Sequence, residues 1–191
     1  MAYLSEQSLN ALKFRSIGAN VKVSDKASIY GAERISLGNN VRIDDFCILS
    51  AGVGGIELGN YIHIAAYCSL IGKELIKMED FSGLSSRVSV YSSSDDYSGN
   101  FLTNPTVPEE FTNVIHGAVV LRKHVIIGVA SCILPNVEIG EGSAVGGYSL
   151  VTKNIEPGII VSGVPARLLK KRSGKIFELE ELFLQSGKSQ P

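Results

Sequence analysis

The sequence lacks tryptophan, has only three cysteines and carries almost no net charge. Because 18 Lys and Arg residues nearly balance 19 Asp and Glu residues, charge gives no indication of binding to nucleic acid or to an anionic membrane. No apolar stretch approaches the roughly 20 residues that a membrane-spanning helix requires. With 191 residues, the chain has room for one globular domain and a short appendage.

Cysteine usage and the N-terminus both bear on the cell compartment. Cys47, Cys68 and Cys132 are odd in number and have no CxxC spacing, which argues against a disulfide framework. The first residues lack the basic start, apolar core and small-residue cleavage site of a secretory signal. We therefore expect a protein of the reducing cytoplasm. Twenty glycines beside a modest aromatic content favour a turn-rich all-β chain.

Aliphatic residues recur at every sixth position over most of the chain. The clearest series is Leu121, Ile127, Ile133, Ile139, Val145 and Val151. Earlier series are Ile17, Val23 and Ile29; Leu37, Ile43 and Leu49; Leu58, Ile64 and Leu70; and Met78, Leu84 and Val90. This period matches neither the 3.6 residues of a helix nor the alternation of a long strand. We interpret these positions as core, without chemistry.

The earlier series start at residues 17, 37, 58 and 78, which are 20 or 21 positions apart. That spacing equals three hexapeptides plus two or three residues, as expected if three short strands close one triangular coil. Successive coils then stack about 4.8 Å apart through backbone hydrogen bonds. The aliphatic side chains fill the interior of a prism.

Two segments depart from the six-residue period. Residues 91–118 contain prolines and a cluster of Ser, Asp, Asn and Gly, which predicts a long loop that leaves the prism. Apolar residues at helical spacing predict an amphipathic helix over about 173–186. We therefore divide the chain into an N-terminal cap (1–16), the repeats (17–156) and a C-terminal turn and helix (157–191).

Residues 127–171 resemble the bacterial hexapeptide-repeat acyltransferases, a family that includes sugar O- and N-acetyltransferases. The resemblance is carried by IGVASCILP, by VGGYSLVTK and by the turn GVPAR. It implies a left-handed parallel β-helix of hexapeptide repeats, with an extruded loop and a C-terminal helix. It also implies a homotrimer that binds acyl-coenzyme A (acyl-CoA) in grooves between neighbouring prisms, with acetyl-CoA expected as co-substrate.

Transfer of an acyl group from a thioester requires a base for the attacking hydroxyl or amine. Many family members carry a catalytic histidine in the extruded loop, and the resemblance places Asp95 where that histidine would stand. Asp95 or Asp96 is therefore a candidate base, a partner for a histidine, or a ligand for the substrate. The alternative is a solvated polar turn.

His116 closes the same loop and is a candidate base or base partner, because neutral imidazole suits proton abstraction at physiological pH. We also expect His63 to point outward at a corner of the prism. Both His63 and Tyr97 are expected to bind substrate. His124 is expected to be solvated. The three histidines lack the spacing of a zinc site shared between subunits, so we expect no metal. Cys47 and Cys68 are expected to fill interior space, and Cys132 to lie at the edge of a wall of the prism.

The resemblance also implies where coenzyme A binds. The backbone would line the pantetheine tunnel at Gly128, Val129, Gly146, Gly147 and Tyr148. The phosphates at the adenosine end would meet a basic cluster made of Lys153, Arg167, Lys170, Lys171 and Arg172. Such a cluster suits a polyanionic ligand, although a solvated basic turn is the simpler interpretation.

From these features we expect an acyltransferase that uses acetyl-CoA on a sugar or amino-sugar acceptor, linked to a nucleotide, in surface polysaccharide or O-antigen synthesis. The expected partners are the acceptor, acyl-CoA and two further copies of the chain, without nucleic acid or a membrane span. The alternative hypothesis is a catalytically silent β-helix that binds a nucleotide sugar or a partner protein.

Overall fold

A computed structural model describes residues 2–187, so the first residue of the expected cap and the last four of the C-terminal segment lie outside it. The chain begins with a short helix, α1 (Glu6–Ala11), capped by the hydroxyl of Ser5. It then winds into a parallel β-helix whose three faces are parallel sheets. Within residues 2–187, no helix has the length and apolar character that crossing a membrane requires.

Each face stacks strands from successive coils, six on faces 1 and 3 and eight on face 2. Face 1 consists of Ser16–Ile17, Ile35–Leu37, Ile56–Leu58, Ile76–Met78, Val119–Leu121 and Val137–Ile139. Face 2 consists of Lys22–Val23, Arg42–Ile43, His63–Ile64, Gly83–Leu84, Ile126–Ile127, Ala144–Val145, Ile159–Ser162 and, antiparallel at its edge, Arg167–Lys171. Face 3 consists of Ser28–Tyr30, Ile48–Ala51, Ser69–Gly72, Ser89–Tyr91, Cys132–Ile133 and Leu150–Val151. The parallel strands thus continue beyond residue 156, to Ser162.

The six-residue series forms the interior, as predicted. Every member from Leu37 to Val151 is buried. In the first coil, Ile17 remains 38% exposed, because this coil has a neighbour on one side only and α1 covers its end through Leu9 alone. Each fully buried aliphatic side chain contributes about 1.5–3 kcal/mol, so the core is a stack of nearly equal layers.

The corners between faces 1 and 2, and between faces 2 and 3, are built from residues with left-handed backbone conformation. These residues are Asn20, Asn40, Tyr61, Phe81 and His124 at one corner, and Phe46, Tyr67, Arg87, Ala130 and Tyr148 at the other. The conformation costs a side-chain-bearing residue about 1–2 kcal/mol. Two contacts offset that cost.

The first contact is a hydrogen bond between coils, such as the one from the Phe81 N–H to the carbonyl of Asn60 at 2.9 Å. The second is ring stacking along the corner, as between Tyr61 and Phe81, whose centroids lie 4.7 Å apart. Such a hydrogen bond contributes about 0.5–1.5 kcal/mol, and an aromatic pair contributes a similar amount.

The C-terminal helix, α2 (Lys175–Gln185), lies against the corner of faces 1 and 2, close to the predicted bounds. Phe183 packs edge-on against Tyr61, with centroids 5.3 Å apart. Glu180 accepts hydrogen bonds from Lys123 at 2.6 Å and His124 at 2.8 Å. Burial alone would raise the pKa of Glu180, but these bonds outweigh it and lower that pKa.

We expect Ile127→Ala to lower the free energy of unfolding by about 2–5 kcal/mol, because it leaves a cavity inside the prism. Ile126 is the matched control, since it precedes Ile127 in the same strand but points outward and is 38% exposed. Ile126→Ala should cost far less. Urea denaturation of both variants measures the difference, and equal losses would contradict the inward assignment.

We also expect an acid-sensitive attachment of α2. The lowered pKa means that Glu180 stabilises the fold above its unfolded pKa of about 4.3, and that this contribution disappears as pH falls through the lower folded value. Glu180→Gln should therefore reduce the melting temperature at pH 7 and converge on the wild type in acid. The control is Glu181→Gln, on the exposed face. A pH-independent gap between Glu180→Gln and wild type would contradict the ionic contribution.

Candidate functional site

The extruded segment begins and ends in a short antiparallel ladder. Ser93–Ser94 pairs with Ile115–His116, which places Ser93 directly opposite His116. The Ser93 hydroxyl oxygen lies 2.8 Å from His116 Nδ1 and also accepts a hydrogen bond from the Lys73 N–H at 2.9 Å. The loop therefore folds back, and its two candidate segments come together at the edge of the prism.

A cavity of about 280 Å³ opens beside this ladder. Its lining combines the loop with outward side chains of face 3: Tyr91, Ser93, Ser94, Asp95, Tyr97, Cys132 and Leu134. Tyr97 is 92% exposed and stands at the rim. The structure thus brings Asp95 and Tyr97 to one cavity and leaves His116 next to it, through Ser93.

The two neighbouring carboxylates have different surroundings. Asp96 accepts hydrogen bonds from the backbone and hydroxyl of Ser98 at 2.7 and 2.5 Å, and from the Asn113 side chain at 3.2 Å. The bond from the Ser98 hydroxyl is the main reason that the pKa of Asp96 is lowered. Asp96 therefore ties the two halves of the loop together, whereas Asp95 faces the cavity.

His63 lies elsewhere. It belongs to the strand His63–Ile64 on face 2 rather than to a corner, and its Nε2 lies 2.9 Å from Asp44. Arg42 binds the same carboxylate at 2.7 Å. Burial would raise the pKa of Asp44, but the bonds from Arg42 and His63 lower it overall. Within one chain, His63 is separated from the loop cavity by a corner of the prism.

The expectation that His124 is solvated is wrong. Its side chain is only 11% exposed, stacks on Phe81 and bonds to Glu180 of α2. Helix α2 was predicted from the sequence, but nothing in the sequence indicated that it would return to this corner. His124 therefore serves the attachment of the helix.

The glycines assigned to the coenzyme tunnel are needed for coil stacking. A Cβ atom on Gly128 would lie 2.4 Å from the backbone nitrogen of Gly147, and one on Gly146 would lie 2.7 Å from the Ser162 hydroxyl. Tyr148 stands at the next coil, where its N–H bonds to the Val129 carbonyl at 2.8 Å. Gly128, Gly146 and Tyr148 thus belong to one continuous corner, in which the small residues let successive coils approach closely.

The basic cluster divides into two groups. Lys153 and Arg167 line a cavity of about 500 Å³ at the C-terminal end of the prism, and Lys170 is exposed on the neighbouring edge strand. Arg172 instead donates hydrogen bonds to three carbonyl groups, those of His124, Gly142 and Ser143, and burial lowers its pKa. Arg172 therefore holds the C-terminal segment against the corner of faces 1 and 2 rather than facing a phosphate.

Two of the cysteines fill interior space, as expected. Cys47 and Cys68 are fully buried, and the bond with Cys47, together with burial, raises the pKa of the Cys68 thiol. Cys132, by contrast, lines the loop cavity, and burial raises its pKa. The sequence did not point to Ser93, because nothing distinguishes it from the other serines of YSSSDD. It did not point to Cys132 as a cavity residue, because the outward direction of its side chain depends on where the strand lies in the prism. Within residues 2–187, no group of three or more His, Cys, Asp or Glu side chains converges on a common point.

Comparison with known proteins identifies close relatives. The chain is 52% identical over 186 residues, 97% of both chains, to an Escherichia coli dTDP-4-amino-4,6-dideoxy-D-glucose acyltransferase. It is 28% identical to the E. coli protein WbbJ, named for lipopolysaccharide biosynthesis O-acetyl transfer, over 78% of this chain and 74% of that one.

Solved structures agree with these sequence matches. A variant of AntD, an N-acyltransferase from Bacillus cereus, in complex with dTDP-4-amino-4,6-dideoxyglucose and coenzyme A, matches at 51% identity with a TM-score of 0.93, over 96% of this chain and 97% of that one. AntD with dTDP and 3-hydroxybutyryl-CoA matches at 52% identity with a TM-score of 0.94, over 98% of each chain. Some AntD structures carry replacements of a serine or an aspartate ten positions apart.

No protein-family model matches the sequence. The identity to the E. coli acyltransferase, sustained over nearly the whole of both chains, nevertheless shows the family. The repeat, the prism and these relatives agree: the chain belongs to the hexapeptide-repeat acyltransferases.

Proposed function

We propose that this protein transfers an acyl group from acyl-CoA to the amino group of a dTDP-linked 4-amino-4,6-dideoxy sugar. The observation that carries the proposal is the 52% identity, over 97% of both chains, to an enzyme named for that acceptor. AntD, similar throughout its length, has been crystallised with both that nucleotide sugar and coenzyme A. The O-acetyl transferase WbbJ supports a role in surface polysaccharide synthesis, at lower identity.

We assign the role of base to Asp95. AntD structures carry replacements of a serine and an aspartate ten positions apart, and this chain has two pairs with that spacing, Ser85 with Asp95 and Ser86 with Asp96. Both oxygens of Asp96 are engaged within the loop, whereas Asp95 lines the cavity. This contrast favours the pair Ser85 and Asp95.

The chemistry is a direct transfer. The neutral amine of the sugar attacks the thioester carbonyl, forming a carbon–nitrogen bond. Its proton passes to the Asp95 carboxylate, the carbon–sulfur bond breaks, and the departing thiolate takes that proton from Asp95, which leaves an amide, free coenzyme A and the regenerated carboxylate. A neutral amine attacks a thioester readily, so one carboxylate base is sufficient.

Two copies of the chain are needed to complete such a site. Ser85 directly follows the face 2 strand Gly83–Leu84, whereas Asp95 follows the ladder strand Ser93–Ser94, so within one chain the face 3 strand Ser89–Tyr91 separates them. A neighbouring prism would bring the Asp95 loop of one copy to the Ser85 corner of the next. Face 3 also leaves large apolar side chains exposed, among them Tyr30 at 60% and Ile48 at 37%. We therefore propose the homotrimer that the family resemblance implies.

The coenzyme would run along the corner at Val129 and Tyr148, which are 38% and 73% exposed. Its phosphates would reach the C-terminal end of the prism, where Lys153 and Arg167 line the cavity of about 500 Å³. We place the reaction in the cytoplasm, the compartment predicted from the cysteines.

The acyl transfer is tested by measuring free thiol released from acetyl-CoA and 3-hydroxybutyryl-CoA in the presence of dTDP-4-amino-4,6-dideoxyglucose. Asp95→Asn should lower kcat about 10²–10⁴-fold, because the amide cannot accept the proton. Asp96→Asn is the matched control, since the amide oxygen can still accept from Ser98. Absence of thiol release with any amino sugar, together with no calorimetric binding of coenzyme A, would leave the silent scaffold as the function.

The coenzyme site is tested separately with the double variant Lys153→Ala, Arg167→Ala. Loss of charge-assisted bonds of about 1.5–3 kcal/mol each should raise the KM for acetyl-CoA at least about tenfold. Lys22→Ala, at the opposite end of the prism, serves as the control. If the two residues bind the phosphate at the ribose, the KM values of variant and wild type should differ less for acetyl-dephospho-CoA, which lacks that phosphate. An unchanged KM would show that Lys153 and Arg167 are solvated and do not bind the coenzyme.

A further inference from the structure

The hydroxyl of Ser93 links the prism to His116. Its oxygen accepts a hydrogen bond from the Lys73 N–H at 2.9 Å and lies 2.8 Å from His116 Nδ1. The ladder between Ser93–Ser94 and Ile115–His116 holds the two residues opposite each other, so this contact is built into the backbone. Lys73 follows the strand Ser69–Gly72 of the preceding coil, which ties the arrangement to the rigid scaffold.

Counting the protein partners of the Ser93 hydroxyl favours one direction for the bond. A serine hydroxyl has one hydrogen and two lone pairs. The Lys73 N–H occupies one lone pair, and His116 Nδ1 is the other polar contact of this hydroxyl within residues 2–187. The hydroxyl hydrogen is therefore satisfied when it points at an unprotonated Nδ1. In the reverse direction, Nδ1–H would donate to the second lone pair, and within residues 2–187 the hydroxyl hydrogen would have no protein acceptor and would point to solvent.

A neutral imidazole carries one proton, so an unprotonated Nδ1 requires the proton to be on Nε2. A nitrogen that already carries a proton cannot abstract another one. His116 in this tautomer is a hydrogen-bond donor rather than a base. The tautomer therefore distinguishes the two residues that the sequence offered as candidate bases: Asp95 can accept the proton, and His116 can donate a hydrogen bond.

We propose that Ser93 is a positioning residue which fixes the Nε2–H tautomer of His116, and that His116 donates this hydrogen to a substrate oxygen at the rim of the loop cavity. The inference rests on the proposed function and deepens it: Asp95 takes the proton of the amine, and His116 holds a carbonyl or phosphate oxygen. A donor aimed at the oxygen that becomes charged in the transition state typically contributes about 10²–10³-fold.

The tautomer is tested without any turnover. Long-range ¹H–¹⁵N correlation spectra of protein labelled with ¹⁵N-histidine distinguish a protonated Nε2 from a protonated Nδ1, and the His116 signals are identified by their loss in His116→Gln. We expect a single Nε2–H species in the wild type and a mixture of tautomers in Ser93→Ala. A wild-type Nδ1–H species would overturn the proposal, even if the acyl transfer itself is demonstrated.

The donor role is tested by comparing His116→Gln with His116→Ala. A glutamine amide nitrogen can donate from near the Nε2 position but cannot accept a proton. His116→Ala should therefore lower kcat/KM about 10²-fold, and His116→Gln should recover most of that loss. If both variants lose activity equally while melting like the wild type, His116 is a base and the proposal fails.

Ser93 has its own comparison. Ser93→Ala should lower kcat/KM, and Ser93→Thr should restore it, because threonine keeps the hydroxyl. The division between kcat and KM identifies the oxygen that is bound: a transition-state oxygen affects kcat, whereas a phosphate bound equally in the ground state affects KM. Equal activity of Ser93→Ala and wild type would contradict the positioning role. Failure of the wild type to release thiol would refute the proposed function, while the spectra would still decide the tautomer.

Discussion

Backbone hydrogen bonding between successive coils is the constraint on which every other feature of this prism depends. It keeps equivalent residues one coil apart in register, as shown by the pairing of Ile43 with Ile64 and of Ile64 with Leu84. An inward position therefore stays inward through the whole stack, and a corner residue always meets another corner residue. Stability is distributed over similar layers, each held by its neighbours.

The same constraint makes room for a functional loop. Met78 pairs directly with Leu121, although 43 positions separate them in sequence, so the extruded segment leaves and rejoins the prism without disturbing the stack. Because its two ends must meet at one edge, Ser93 comes to lie against His116. Functional residues on a loop thereby acquire the precision of the scaffold that carries them. The cavity at Asp95 is made partly from the outward face of the prism, which supplies Tyr91 and Leu134.

The fold could be predicted from the sequence because the same pattern of aliphatic residues repeats along most of the chain. One buried position such as Ile133 says little alone, but the same residue class at every sixth position admits few other structures. The C-terminal helix was predicted for a similar reason, from periodicity within α2. The role of His124 was not, because its partner Glu180 is 56 positions away. Neighbouring carboxylates such as Asp95 and Asp96 were equally indistinguishable, since their difference arises from Ser98 and Asn113 in the folded loop.

By itself, the sequence determined the all-β repeat, the position of the loop and the short set of residues able to carry chemistry, because these depend on local spacing and residue type. Only the tertiary structure decided that Asp95 rather than Asp96 lines a cavity. It also decided that His63 lies on a different face from the loop, and that Arg172 donates its hydrogen bonds to backbone carbonyls. Those outcomes depend on which distant segments meet when the coils close. The contact between Ser93 and His116 belongs to the same class, because the ladder that brings them together forms only in the folded loop.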